Sequence, residues 1–189
     1  MAAPDRTETA SDTTPAPVSA PASPANRIGH GYDLHRLEPN GPGGPGRPLI
    51  VGGVRLDHDR GPVAHSDGDA LLHAVTDAIL GACALPDIGE LFPNDADENE
   101  SRDSADFLKT AVRAAANAGY RVGNLDATVI LERPKLKPVK AEIRANLARL
   151  LGLDASLVNV KGKTHEKVDA VGDGRAIEVH VVVLMVRDG

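Results

Sequence analysis

The chain has 189 residues, 41% hydrophobic and 25% charged, with a formal net charge of −6, which suits one globular domain with a tail. The acidic balance without a basic patch argues against nucleic acid as a partner, and no apolar run approaches a membrane span, so no membrane partner is expected either. Only 2% of residues are aromatic, so Val, Leu, Ile and Ala must build the core, and the single Cys83 excludes an internal disulfide and fits a reducing compartment.

Residues 1–26 are rich in Ala, Pro, Ser and Thr without apolar periodicity, and are expected to be a disordered tail before one domain over residues 27–189. The tail lacks the basic start and apolar centre of a secretory signal, and Asp5, Glu8 and Asp12 argue against an organelle transit peptide, so a cytoplasmic protein is expected. A first strand is predicted over Arg27-Ile28-Gly29-His30-Gly31-Tyr32-Asp33-Leu34-His35. Side chains two apart share a strand face, which points Asp33 and His35 the same way. After the glycine- and proline-rich loop 41–46, Leu49 to Val54 reads as a second strand pairing with the first in a hairpin. Asp57, His58 and Asp59 have the composition of metal ligands, but in an open turn a solvated cluster is expected.

From Ala64 to Asp77 a loop rich in His and Asp runs into an apolar helical pattern. Ser66 suits the N-cap and Asp69 the N3 position. Asp69, His73 and Asp77 recur every fourth residue, while Leu72, Val75 and Ile79 face a core. Alone, such a pattern more often marks a solvated face with one surface histidine. Joined to Asp33 and His35, however, His73 completes a three-ligand set that suits zinc with a position open for substrate.

This helix is expected to end near Leu85, before Pro86. Asp87-Ile88-Gly89-Glu90-Leu91-Phe92-Pro93-Asn94 follows, an apolar pair among turn residues, which reads as a packed functional loop or else a simple linker. Asp95 to Glu100 is expected to be acidic solvated surface. A second helix from about Asp103 to Ala118 buries Phe107, Leu108, Ala111, Val112 and Ala115, with Gly119 at C′. A strand over Asn124 to Leu131, a helix from Pro138 to Gly152 burying Ile143, Leu147, Leu150 and Leu151, and a strand over Leu157 to Lys161 make a βαβ crossover with parallel strands. The nearly all-apolar Ala176 to Val186 reads as a strand buried on both faces, against helices on one side and another subunit on the other. Between the last two strands, Lys161-Gly162-Lys163-Thr164-His165-Glu166-Lys167 gathers lysines, a hydroxyl, an imidazole and a carboxylate at a strand end. Glu166 there is either a surface ion-pair partner or a ligand for a hard metal, with Lys163 and Thr164 on phosphate oxygens. The lone His-Glu pair lacks the second histidine of a zinc-protease helix.

Taken together, the Arg27 to His35 segment, Ala64 to Asp77, Asp87-Ile88-Gly89 with Leu91-Phe92-Pro93, and Lys161-x-Lys163-Thr164-His165-Glu166 closely resemble the 2-C-methyl-D-erythritol 2,4-cyclodiphosphate synthase family of the non-mevalonate isoprenoid pathway. The resemblance implies a homotrimer with active sites between adjacent subunits and a small-molecule substrate, 4-diphosphocytidyl-2-C-methyl-D-erythritol 2-phosphate. Its 2-phosphate attacks the β-phosphorus, closes the cyclodiphosphate and expels CMP. By the same resemblance Asp33, His35 and His73 hold zinc, and Glu166 helps hold magnesium or manganese on the diphosphate. His65 and Thr164 would stabilise the transition state. Asp33, Leu34, His35, His65, Ser66, Asp87, Ile88, Gly89, Phe92, Lys163, Thr164, His165 and Glu166 would contact substrate, and Leu131, Glu132, Arg133, Pro134, Lys135, Leu136 and Lys137 would form the cytidine pocket.

Three positions depart from the family's commoner pattern. Asn94 stands where an Asp frequently follows Phe-Pro, and Ala170 and Asp173 replace an aromatic and an arginine lining a cavity on the trimer axis, which puts isoprenoid-diphosphate binding there in question. The expected fold is α/β (α+β): a mixed sheet of four or five strands with helices packed on one face, the sheets facing each other around a trimer axis. Two other readings use the same ligands, a zinc-dependent phosphohydrolase that releases inorganic phosphate and a non-catalytic, metal-stabilised trimeric binding protein.

Overall fold

Two glycines set how closely the layers of the molecule approach. Strand β1 (Asn26–Pro39) turns Gly29 and Gly31 inward, and helix α1 (Ala70–Ala82) lies directly on them. A Cβ at either glycine would sit 1.8 Å from a carbonyl oxygen of α1, that of Ala78 or Ala74, so a larger residue would force the helix off the strand. The structure, a computed structural model, describes residues 24–93, 96 and 99–188. The expected tail falls almost wholly outside these, as do Asn94 and half of the acidic stretch 95–100.

β1 pairs antiparallel with β4 (Arg60–Pro62) on one side and β7 (Ala176–Arg187) on the other. β7 pairs antiparallel with β5 (Tyr120–Ile130), which runs parallel to the edge strand β6 (Val158–Lys163). The sheet is therefore mixed and five-stranded, within the range the sequence predicts, and its strand order is β4-β1-β7-β5-β6. The parallel pair is joined by α4 (Lys140–Leu151), which ends at Gly152 in the left-handed conformation. Leu125, Ala127 and Val129 of β5 and Val179, Val181 and Val183 of β7 alternate inward and are fully buried. α1 lies between this face and α3 (Ser104–Asn117), which explains why it is apolar almost all round, with Leu71, Leu72, Val75 and Ile79 inaccessible. Burial of each such side chain stabilises by about 1.5–3 kcal/mol.

Several local expectations are corrected. Leu49 to Val54 does not pair with β1: β2 (Ile50–Val51) and β3 (Val54–Arg55) form a separate two-stranded ribbon turning at Gly52 and Gly53, both at positive φ. The cause is an anchor invisible to periodicity. Asp69, not Ser66, caps α1, accepting from the amides of Leu71 and Leu72 and also from those of Gly52 and Gly53 in the ribbon turn. Its carboxyl is fully buried, which pushes its pKa up to about 6 against the opposing pull of the amide donors. α1 stops at Ala82, capped by Cys83, short of Leu85. The His58 side chain is only 8% exposed and sits 3.2 Å from Asp59, so the expected solvated cluster is partly folded in. Within the chain β7 is buried on one face, and the face that the sequence reading assigns to another subunit is open. That open face carries Glu178, His180 and Val182, the last 46% exposed.

Candidate active site

The inward face of β1 continues from Gly29 and Gly31 through Asp33 to His35, and the close approach of α1 brings His73 against both. Nδ1 of His35 lies 3.0 Å and Nδ1 of His73 lies 3.1 Å from the same oxygen, Oδ2 of Asp33. One candidate ligand atom from each residue falls within 4.8 Å of the others. Burial works against the charged carboxylate of Asp33, but the closely placed imidazoles of His35 and His73 outweigh it and hold the pKa at about 2. Burial likewise disfavours a charged His73, yet the Asp33 carboxylate, with help from Asp69 and Asp67, raises its pKa above the ordinary value.

This set fits a divalent metal on its own terms. Nδ1 of His35 is buried with no hydrogen-bond partner despite its short distance to Asp33. Two imidazole nitrogens and a carboxylate converging on one point are what zinc takes, and ligand atoms around a tetrahedral zinc are spaced about 3.3 Å apart.

The cleft around the set has a volume of about 450 Å³ and is lined by Asp33, Leu34, His35, His65, Ser66, His73, Ile88, Gly89 and Phe92 among others. Nine of the sequence-predicted residues thus share one cavity. Asp87 lies just behind it: the predicted functional loop is a short helix, α2 (Ile88–Leu91), capped by Asp87, whose carboxylate accepts from the Glu90 amide. The floor is aromatic. Phe92 and Phe107 stack at 4.5 Å, the His73 ring lies 5.8 Å from Phe107, and Arg102 covers both phenylalanines. Arg47 holds the opposite wall, donating to the carbonyls of Ala64 and His65.

Glu166 is not in this cavity. With Lys163 and Thr164 it lines a second cleft of about 650 Å³, together with Leu131, Lys135, Leu136 and Lys137. β1 and β6 are separated by β7 and β5, about 14 Å at ordinary strand spacing. His165 instead pairs with Asp169 at 2.9 Å, and Glu132, Arg133 and Pro134 lie in the same loop without lining that cleft. The expected axial stretch forms α5 (Asp169–Gly172), and Asp173 is bridged to Arg175 at 3.0 Å.

Three residues beside the Asp33, His35 and His73 set were given no role from the sequence. Asp77, one helical turn beyond His73, accepts from the Ile88 amide at 2.8 Å and so ties α2 to α1. Asp67 and the fully buried Ser104 meet behind His73, where Ser104 Oγ lies 2.8 Å from His73 Nε2. The i, i+4 spacing of His73 and Asp77 was a usable clue; nothing local links residue 67 to residue 104.

Comparison with known proteins places these features in context. A model of the YgbB family matches residues 26–186. The chloroplastic 2-C-methyl-D-erythritol 2,4-cyclodiphosphate synthase of Oryza sativa subsp. japonica is 55% identical over 175 residues, 92% of this chain and 76% of the relative. The 2-C-methyl-D-erythritol 2,4-cyclodiphosphate synthase of Chromobacterium violaceum is 52% identical over 159 residues, 84% of this chain and 97% of the relative. Among solved structures, IspF of Plasmodium falciparum in complex with CDP superposes with a TM-score of 0.75 at 36% identity, covering 87% of this chain and 98% of that one.

Proposed function

The chain belongs to the YgbB family, and from that premise we propose that it converts 4-diphosphocytidyl-2-C-methyl-D-erythritol 2-phosphate to 2-C-methyl-D-erythritol 2,4-cyclodiphosphate with release of CMP. It is then a phosphorus-oxygen lyase of isoprenoid precursor biosynthesis. The observation that carries the reading is the convergence of Asp33, His35 and His73 at the wall of a cleft that also presents His65 and Gly89.

In this reading Asp33, His35 and His73 hold zinc, and Glu166 helps hold magnesium or manganese. When bound, the two ions draw charge from the diphosphate oxygens of the substrate. That is how an acidic chain accepts a polyanion. The protein's own groups chiefly position. Asp87 and the Gly89 backbone grip the erythritol hydroxyls, while Leu34, Ser66, Ile88 and Phe92 shape the cavity around the sugar. His65 and Thr164 donate hydrogen bonds to phosphoryl oxygens as charge develops on them, and Lys163 and His165 steady the diphosphate. The Leu131 to Lys137 segment takes the cytosine. Bringing the 2-phosphate into line with its target in this way contributes about 7–11 kcal/mol.

The separation of the two clefts within one chain supports a homotrimer in which one subunit's metal set faces the next subunit's Glu166. The open sheet face supports it too, since Ile28 is 75%, Tyr32 47% and Val182 46% exposed. Among the described residues no helix is long and apolar enough to cross a membrane, and buried, unpaired Cys83 fits the reducing cytoplasm that the sequence reading expects.

Phosphorus NMR of the protein with the cytidylated substrate tests the proposal. The expected result is a pair of coupled diphosphate resonances appearing together with CMP, lost on chelation and restored by zinc plus magnesium. Free inorganic phosphate would replace this reading with a hydrolase, and an unchanged substrate in metal-loaded protein would replace it with a binding protein.

A further inference from the structure

Behind the metal set lies a polar group that the chemistry above does not use. Ser104 opens α3 and is completely buried, yet its hydroxyl touches two ionisable side chains, Asp67 on one side and His73 on the other. Its position is not needed to cap the helix, because Asp103 already does so through the Ala105 amide.

The direction of each hydrogen bond follows from counting protons. The Asp67 carboxylate accepts from the amides of Asp69 and Ser104 and from the Ser104 hydroxyl. Surrounded by donors, it is an acceptor only. The single hydroxyl proton of Ser104 is therefore committed to Asp67, and toward His73 Ser104 has only lone pairs to offer. His73 Nε2 lies 2.8 Å from Ser104 Oγ, nearer than its 3.2 Å to Ser66 Oγ, and a bare nitrogen there would set its lone pair against those of Ser104, so Nε2 carries a hydrogen. In the neutral ring that leaves the lone pair on Nδ1, the nitrogen facing Asp33 Oδ2 at 3.1 Å.

We propose that Asp67 and Ser104 form a positioning relay that fixes His73 in its Nε2–H tautomer and aims Nδ1 at the metal. The relay rests on the metal reading given above. It also makes a geometric prediction about function: a metal ligand set from behind in this way keeps its ring orientation when the metal leaves, so the site is ready to be refilled.

The experiment measures zinc affinity by chelator competition, using zinc alone as the probe, together with the nitrogen shifts of the His73 ring. Wild-type, Ser104→Ala, Ser104→Thr and Asp67→Asn chains are compared, with the metal-free melting temperature of each. Ser104→Ala removes the acceptor and is expected to weaken zinc about 10- to 100-fold, the usual cost of losing such a partner. Ser104→Thr keeps the hydroxyl and should bind within about threefold of wild type. Asp67→Asn keeps one oxygen for the three donors that Asp67 accepts from, so its NH2 opposes either the hydroxyl or the backbone N–H of Ser104, loosens the commitment of the hydroxyl proton and should shift His73 toward the Nδ1–H tautomer with a similar loss of affinity. The wild-type nitrogen shifts need no variant, so a chain that misfolds on substitution still leaves the test intact: an Nδ1–H tautomer in the wild-type protein overturns the relay. So does zinc binding by Ser104→Ala and Asp67→Asn at wild-type strength. Failure of the wild-type chain to bind zinc at all would instead overturn the metal reading itself.

Discussion

The two clefts of this chain are built in opposite ways. At the β1 and α1 cleft the helix-borne ligand is braced: the His73 side chain is 12% exposed, its Nε2 is held by Ser104, and its Nδ1 faces a carboxylate. At the β6 cleft Lys163 and Glu166 are exposed, and Thr164 Oγ1 reaches only Glu166, at 3.3 Å. What holds that region is backbone. Glu166, Lys167 and Asp169 all take left-handed φ values of 51°, 64° and 61°, a conformation that costs a non-glycine residue about 1–2 kcal/mol. The Asp169 carboxylate offsets part of that cost by accepting from His165 and from the Val171 amide. One half of the site is thus preset by packing, while the other is a strained turn presented outward, as a half that meets its complement on another subunit would be.

The sharpest way to break this comparison is to remove one half at a time. His73→Ala is expected to lower turnover by about 10³-fold or more, because the loss removes one of three ligands and leaves the buried Asp33 with His35 alone beside it. Turnover and zinc content of the purified variant check this. Glu166→Gln should be comparably inactive while keeping its zinc. If the halves come from different subunits, co-assembling these two inactive variants in equal amounts should restore about one quarter of wild-type activity, since one site in four pairs an intact metal half with an intact Glu166. Mixtures that remain inactive after unfolding and refolding together would place both halves in one chain and overturn the trimer.

A smaller effect concerns protons at the β1 and α1 cleft. His73 is held above its ordinary pKa by Asp33, so zinc must displace a proton to bind there. Zinc affinity should therefore fall about tenfold per pH unit below the His73 value, visible in the same chelator competition. The metal-free fold has the opposite preference on that flank. The His73 contribution to stability is fully present below about pH 6.5 and lost as pH rises through its raised value, whereas the Asp33 contribution is present above about pH 4 and lost as pH falls through about 2. Metal-free melting temperatures measured across this range should pass through a maximum between those limits, and a flat profile would dissolve the Asp33–His73 pair.

The same contrast explains what could be read from the sequence. Asp33 and His35 were legible because strand alternation is local, and β5, α4 and β6 were legible because apolar periods and the Gly152 stop are local too. The parallel pairing followed from connectivity. The misread cap at Ser66 and the misplaced strand over Leu49 to Val54 share one cause, the carboxylate of Asp69 reaching back to Gly52 and Gly53. A side chain that serves two elements 16 residues or more apart leaves no periodic trace. At Glu166 the residues left an ion-pair partner and a hard-metal ligand open, and only the resemblance chose between them; for β7 the apolar run called for cover on both faces, and the chain itself covers one.

The finest test is whether the preset cleft extends its rigidity to α2. α2 has four residues and none of them is buried, so packing does little to fix it. Its attachment to the metal half is the acceptor bond from the Ile88 amide to Asp77, on the same helix as His73 and one turn beyond it. Burial, with a further contribution from the charges of Asp87 and Asp33, raises the Asp77 pKa, while the Ile88 amide opposes that rise. The bond, more than the charge, should therefore be what matters. Asp77→Ala is expected to raise KM about tenfold with kcat within about threefold of wild type, the pattern of lost ground-state positioning. Asp77→Asn keeps an oxygen for the Ile88 amide and should restore KM to within about twofold. Equal impairment of the two variants would make the carboxylate charge the operative feature, and no impairment in either would mean that α2 is held by the substrate itself.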